Sequence, residues 1–80
     1  MPYIVPARRI ALDNGTRPAT SGELNYQLTQ AIISYWVNGP RNYQAINDIV
    51  GALESAKAEF QRRIVAPYED GKIRENGDVY

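Results

Sequence analysis

The sequence predicts an all-α protein: a helical hairpin with a long second helix and a short third helix, following an extended N-terminal arm. The main observation is that apolar residues recur at helical spacing on both sides of the Asn38-Gly39-Pro40 turn. The second is size, because eighty residues make one small domain, 1–80, whose single core is marginal. The absence of cysteine rules out disulfides, so we expect a homo-oligomer, either a symmetric dimer or a larger ring.

Residues 1–21 are expected to form an arm, a short helix and a loop. Pro2 and Pro6 bracket Tyr3-Ile4-Val5, which favours an extended backbone there. Pro6 also suits the first position of a short helix through Leu12, which Asn14-Gly15 would end. The proline and hydroxyl residues that follow indicate a loop.

The first helix of the hairpin is predicted over residues 22–38. Thr20 can cap its N-terminus, and Glu23, three residues on, can reach back as in a capping box. The apolar residues form one helical stripe: Leu24, Leu28, Ala31, Ile32, Tyr35 and Trp36. Gly39 suits a left-handed residue after the helix, and Pro40 cannot continue the hydrogen-bond ladder.

The second helix is predicted over residues 42–66, with Asn42 as its N-cap. Its apolar residues follow steps of three, four and seven: Tyr43, Ile46, Val50, Leu53, Phe60 and Ile64. At 1.5 Å per residue this helix is ~36 Å long, which exceeds the ~24–26 Å diameter of a compact domain of this size. It therefore needs a partner surface. We expect Pro67 to stop it.

Residues 67–76 are expected to form the short third helix, followed by a tail over 77–80. Pro67 fits a first helical turn, and Glu69 and Asp70 place carboxylates at the positive end of the helix dipole. Asn76-Gly77 would close this helix, whereas Gly71 in its middle weakens it.

Charge and composition disfavour several classes of function. Nine basic and nine acidic residues cancel and are interspersed, so general DNA or RNA binding is disfavoured. The chain has no histidine and no cysteine, so the usual general base, the thiol nucleophile and the commonest metal ligands are missing. We therefore expect no enzyme, no metal and no cofactor. The longest apolar run is too short for a bilayer and the N-terminus lacks a signal-peptide core, which predicts a cytoplasmic protein with no membrane association.

Three stretches resemble a family of small proteins of unassigned function from bacteriophages and bacteria: GELNY at 22–26, INDIVGALESAKAEF at 46–60 and RRIVAPYEDGKIRENGDVY at 62–80. The resemblance covers most of the chain, and the strings APYED and ENGDVY are specific. It implies a short helical protein with a fixed C-terminal tail, and it carries no known activity. The chain departs from the family pattern at 13–21, which looks shorter and less helical, and at Gly71, where the family implies a charged residue.

Arg62 and Arg63 form the first candidate site, because they lie three and four residues after Glu59 near the end of the second helix. One interpretation is a surface ion pair. The other is a phosphate contact made by the planar guanidinium groups. An oligomer would bring copies of the arginine pair together and concentrate positive charge that the net charge hides.

Three tyrosines, Tyr26, Tyr68 and Tyr80, have polar neighbours and are hard to assign to a core. A tyrosine ring can stack on a base while an arginine holds its phosphate and an asparagine such as Asn76 bonds its edge. The alternative is that these rings pack the tail and the arm onto a neighbouring subunit. The candidate ligand-binding residues are Arg62, Arg63, Tyr68, Asn76, Tyr26 and Tyr80.

Two binding functions fit this inventory. In the first, the protein is a phage-type oligomeric sponge that sequesters a nucleotide-derived immune signal, an anti-defence role that requires tight binding but no turnover. In the second, it is a protein-interaction or structural accessory module that docks on a host or phage protein through an apolar helix face. A phage-encoded protein of either kind would act in the host bacterial cytoplasm.

Overall fold

The computed structural model describes residues 3–80 and, over that range, contains helices and no strand. The helical segments are α1 (Pro6–Asp13), α2 (Ser21–Val37), α3 (Tyr43–Phe60), a π-helical turn (Gln61–Val65) and α4 (Ala66–Asn76). The all-α prediction is confirmed, whereas the hairpin arrangement and the oligomer stay predictions. Met1 and Pro2, the start of the predicted arm, lie outside the described residues.

The chain divides into two compact units, Met1–Ala45 and Ile46–Tyr80. The first unit holds α1, α2 and the first turn of α3, and the second holds the rest of α3, the π-helical turn, α4 and the tail. The single domain expected over 1–80 stays a prediction.

Helix α1 begins at Pro6, as predicted, and ends in a complete glycine cap. Gly15 is left-handed with φ +94°. Its N–H donates to the Leu12 carbonyl at 3.1 Å, and the Thr16 N–H donates to the Ala11 carbonyl at 3.0 Å. These two bonds satisfy carbonyls that the last helical turn leaves without partners, which is why the chain can turn sharply here.

Helix α2 begins at Ser21 and ends at Val37, one residue earlier at each end than the predicted range of 22–38. Thr20 is its N-cap, because its Oγ1 accepts the Glu23 N–H at 3.1 Å. The reciprocal half of the predicted capping box takes a different form: the Glu23 carboxylate accepts the Ala19 N–H at 2.8 Å, one residue further upstream. That carboxylate also binds Arg8 of α1, which draws it away from the Thr20 backbone.

The turn after α2 differs from its prediction at Gly39. Gly15 and Gly77 are the positive-φ residues of the described chain, so Gly39 is not left-handed. Asn38 caps α2 instead, since its side-chain Nδ2 donates to the Ser34 carbonyl at 2.8 Å. A Cβ on Gly39 would lie 3.4 Å from the Tyr35 carbonyl oxygen, at the short limit of ordinary van der Waals contact.

Helix α3 starts at Tyr43 behind the predicted cap, because Asn42 Oδ1 accepts the Ala45 N–H at 2.9 Å. Its predicted end is wrong. Residues 43–76 are helical without a break, so the second helix does not stop at Ala66 and no separate third helix starts at Pro67.

The chain passes Pro67 by widening into the π-helical turn. The Ala66 N–H donates to the Gln61 carbonyl, five residues back instead of four. Pro67 has no N–H and its ring crowds the carbonyl four residues before it, so a regular α-turn would be strained here. The wider turn relieves that crowding, and α4 continues through Gly71 to Gly77, whose φ is +86°.

Few side chains are buried. Within residues 3–80 the buried apolar residues are Leu12 and Ala45, which are 3% and 6% exposed, and the buried charged residue is Glu23, at 8%. Every residue of the second unit is exposed or half-exposed. In the part of the chain that the structure describes, no helix is both long and apolar enough to cross a membrane.

Candidate functional site

Arg62 and Arg63 lie in the π-helical turn and share one carboxylate. Glu59 Oε2 accepts Arg62 Nη2 at 3.0 Å and Arg63 Nε at 2.7 Å. The hydrogen bond from Arg63, and then the one from Arg62, lower the pKa of Glu59 below its ordinary value. All three side chains are more than half exposed, so the predicted ion pair is present at the surface. Two guanidinium groups against one carboxylate leave a local positive charge, with several N–H donors unused.

The π-helical turn also borders an open groove of about 490 Å³ along one side of the helix. We call it the groove face, and it is lined by Ala58, Gln61, Arg62, Val65, Ala66 and Glu69. Val65 and Ala66, both small and apolar, lie between Arg62 and Glu69 in this lining. The two side chains therefore carry opposite charges on either side of an apolar pair. Arg63 is not part of this lining, so the two arginines face different surroundings.

Tyr68, Asn76 and Tyr80 belong to the same unit as the arginine pair. The Tyr68 ring is 66% exposed and has Lys72 Nζ 5.6 Å from its centroid, within range of a cation–π contact. Lys72 Nζ also reaches Glu75 Oε2 at 3.5 Å. Asn76 is the last residue of α4, eight residues after Tyr68 and therefore near the same helix face. Tyr80 is fully exposed, and its N–H donates to Asp78 at 3.1 Å.

A family model described as Domain of unknown function (DUF6899) matches residues 1–79. The chain belongs to the DUF6899 family. The resemblance to an uncharacterised family is thereby confirmed. No curated protein and no solved structure matches the chain.

Tyr26, the remaining candidate, lies on α2 in the first unit of this DUF6899 chain. Its hydroxyl donates to Asp13 of α1, at 3.0 Å to Oδ1 and 3.2 Å to Oδ2. Burial, and then the hydrogen bond to Asp13, raise the pKa of Tyr26. The hydroxyl therefore links α1 to α2, which is a structural task. A base could still stack on the ring, but the polar end already has a partner.

The most developed polar cluster of the DUF6899 chain was not among the candidates. Arg8 grips Glu23 through two bonds, Nε to Oε2 at 2.8 Å and Nη2 to Oε1 at 2.6 Å. Arg8 and the Ala19 N–H together hold the pKa of Glu23 at about 2. Arg8 and Glu23 are fifteen residues apart. Local periodicity could not pair them, and the capping motif at Thr20 was the sole sequence signal near this cluster.

A depression beside this cluster is lined by the arm residues Tyr3, Ile4 and Val5, by Arg8, and by residues 20–23 at the start of α2. The guanidinium there is already committed to Glu23, so it offers little free charge to an incoming anion. Among the described residues no three carboxylate, histidine or cysteine side chains are close enough together to hold a metal ion.

Proposed function

We propose that this DUF6899 protein is a non-enzymatic binding protein that works as a homo-oligomer, with association through the apolar faces of its helices. The exposure of those faces carries the proposal. Apolar side chains at helical spacing on α2 and α3 are 41–55% exposed: Leu24, Leu28, Ile46, Val50 and Leu53. A monomer that leaves this much of its periodic apolar surface in water lacks a sufficient core.

The energetic gain from covering these faces is of the same order as the cost of association. Full burial of a Leu, Ile or Val side chain stabilises by roughly 1.5–3 kcal/mol. Each of the five residues retains about half of its surface for a partner to cover. Their combined contribution therefore competes with the cost of bringing two chains together.

Sedimentation equilibrium over a hundredfold range of concentration tests the proposal. We expect a mass above 9.0 kDa that grows with concentration until one assembly dominates. Leu28→Glu should lower the mass, because association would then bury a charge in the interface between copies. Arg41→Glu in the exposed turn serves as a control for added negative charge. A well-folded 9.0 kDa monomer at the highest concentration would remove the proposal.

A second function, sequestration of a nucleotide-derived signal, is favoured by the arginine pair. Arg62 and Arg63 together carry more charge than Glu59 neutralises, and Tyr68 and Asn76 lie in the same unit. An oligomer would gather several such sets. Arg63 is the better phosphate ligand of the two, because Arg62 shares the groove face with the carboxylate of Glu69.

Calorimetry against cyclic dinucleotides and ADP-ribose derivatives tests this function. We expect binding heat that Arg63→Ala reduces at least about tenfold in affinity, as loss of a charge-assisted contact requires. Arg74→Ala, another exposed arginine of the same unit, should bind as the parent does. The absence of heat from every compound would end the nucleotide hypothesis and leave the association hypothesis standing.

A protein partner is the alternative occupant of the apolar faces. For either function, we also propose that the protein is encoded by a phage and acts in the host cytoplasm. This part of the proposal rests on the resemblance carried by the APYED and ENGDVY strings. Purification from a bacterial lysate followed by heating discriminates the functions. Release of an ultraviolet-absorbing small molecule from a clean homo-oligomer supports sequestration. A stoichiometric second protein that rebinds the pure chain supports the docking module.

A further inference from the structure

The groove face at the π-helical turn is complementary to itself. It carries the Arg62 guanidinium and the Glu69 carboxylate, with the small apolar residues Val65 and Ala66 between them. We propose that this face pairs with the same face of a second copy, antiparallel, about a two-fold axis between Val65 and Ala66. This inference rests on the proposed function, since it names one surface through which copies associate.

The register follows from the two-fold axis. In an isologous pair, residues equidistant from the axis face each other. Arg62 of one copy then lies opposite Glu69 of the other, and Val65 opposite Ala66. The axis repeats the charge contact, so each pair of chains gains two.

The charges of the groove face are available for this contact. Arg62 is 65% exposed and makes one bond to Glu59, which Arg63 holds independently at 2.7 Å. Arg62 can therefore turn to a partner while Glu59 remains paired. Glu69 forms no ion pair with any residue in the described range 3–80. A symmetric contact needs opposite charges that are free to pair at equal distances from the two-fold axis. Arg62 and Glu69 meet this requirement.

The same charges argue against a free anion as the occupant. A phosphate drawn to Arg62 would also approach Glu69 in the same groove and be repelled by it. A surface that places a carboxylate opposite Arg62 and a guanidinium opposite Glu69 meets no such repulsion. The apolar part of the groove favours a helix, because Ala58, Val65 and Ala66 are short enough for two backbones to approach closely. A second copy supplies both features.

The second unit also has no packed helix face of its own. No residue between 46 and 80 is buried, although Phe60, Ile64 and Ile73 are all in this segment. A helical segment without packing on an amphipathic face draws little stability from propensity alone. Pairing at the groove face would give this segment tertiary contacts.

Charge reversal with complementation tests the pairing. Arg62→Glu and Glu69→Arg are each purified alone, checked for helicity by circular dichroism, and examined by sedimentation beside the parent chain. In each single variant, like charges meet twice across the axis. We expect association at least about tenfold weaker than in the parent chain. Arg74→Glu and Glu75→Arg carry the same charge changes on α4 outside the groove face and should associate as the parent does.

Mixing the two single variants at equal concentration is the decisive step. The introduced carboxylate at position 62 then faces the introduced guanidinium at position 69, and the native residues also face each other. We expect the mixture to recover the parent's mass through groove-face pairs that contain one chain of each variant. Single variants that associate like the parent would overturn the groove pairing while self-association through other faces stands. Weak singles that the mixture does not restore would overturn it too, and a monomeric parent would overturn both proposals.

Discussion

Glu23 accepts three hydrogen bonds, two from Arg8 and one from the Ala19 N–H, with 11% of its side chain exposed. A short bidentate guanidinium contact and a backbone donor both favour the charged carboxylate. They outweigh the burial that would raise the pKa, so the pKa of Glu23 falls to about 2. The residue thereby joins α1, the loop and the N-terminus of α2 at a single side chain.

We expect acid to weaken the first unit through Glu23. The folded pKa of about 2 lies below the ordinary value of 4.5, so the stabilising contribution is complete above about 4.5 and is lost as the pH falls toward 2. A carboxyl titration by nuclear magnetic resonance should give a midpoint near 2 for Glu23. In Glu23→Gln this part of the acid dependence should vanish, and Glu54→Gln serves as an exposed control. A Glu23 midpoint at 4.5 would show that the Arg8 contact does not hold in solution.

At the scale of the elements, local signals predicted the starts of α1, α2 and α3 to within one residue but missed how the chain passes Pro67. Side-chain caps at Thr20 and Asn42 lie within three residues of the N–H groups they accept, so the sequence displays them directly. The glycine cap at Gly77 is equally local. Pro67 indicated a stop because its missing N–H is visible in the sequence. The shift to five-residue hydrogen bonding at Gln61 is not visible there.

The candidate site shows the same division. The contact of Glu59 with Arg62 and Arg63 follows from helical spacing and was predictable. The bond from Tyr26 to Asp13 and the grip of Arg8 on Glu23 join residues 13 and 15 positions apart across a loop. Their pairing depends on how the loop between α1 and α2 folds. No periodic pattern encodes that loop geometry.

Gly71→Ala should stabilise α4. Glycine in a helix interior costs roughly 0.5–1 kcal/mol relative to alanine. A Cβ at this position meets nothing closer than the Arg74 side chain at 3.7 Å, which is ordinary contact. We expect the free energy of unfolding to rise by about that amount, with stronger helical ellipticity at unchanged concentration. A fall in stability would mean that Gly71 has a close neighbour in the assembled protein.

Pro67→Ala should remove the cause of the π-helical turn. The new N–H can donate four residues back, so the turn can revert to α-helical spacing, and α4 would rotate by about one residue, ~100°, relative to α3. Helicity should rise, as in Gly71→Ala. If the Ala66 N–H of the variant still donates to the Gln61 carbonyl, five residues back, Pro67 does not impose the π-helical turn.

At the scale of the whole molecule, we expect the stability of the fold to depend on association between copies. The described residues bury two apolar side chains, Leu12 and Ala45, so little of the hydrophobic free energy that folding needs is gained within one copy. Polar contacts such as the Arg8 and Glu23 pair orient elements but do not replace a core. In the proposed homo-oligomer, other copies of the chain supply the missing apolar contacts.

The midpoint of thermal unfolding should therefore depend on protein concentration. When only the assembled chain is folded, each tenfold rise in concentration favours it by mass action, and the midpoint moves upward. In the parent chain, we expect the midpoint temperature to rise with the logarithm of protein concentration. The rise should be smaller in Arg62→Glu and should return to the parent's value when Arg62→Glu is mixed with Glu69→Arg. Differential scanning fluorimetry of Trp36 across the series measures it without added dye. A midpoint that is identical at every concentration would show that one copy folds alone, and the exposed apolar faces would then have to serve a different protein.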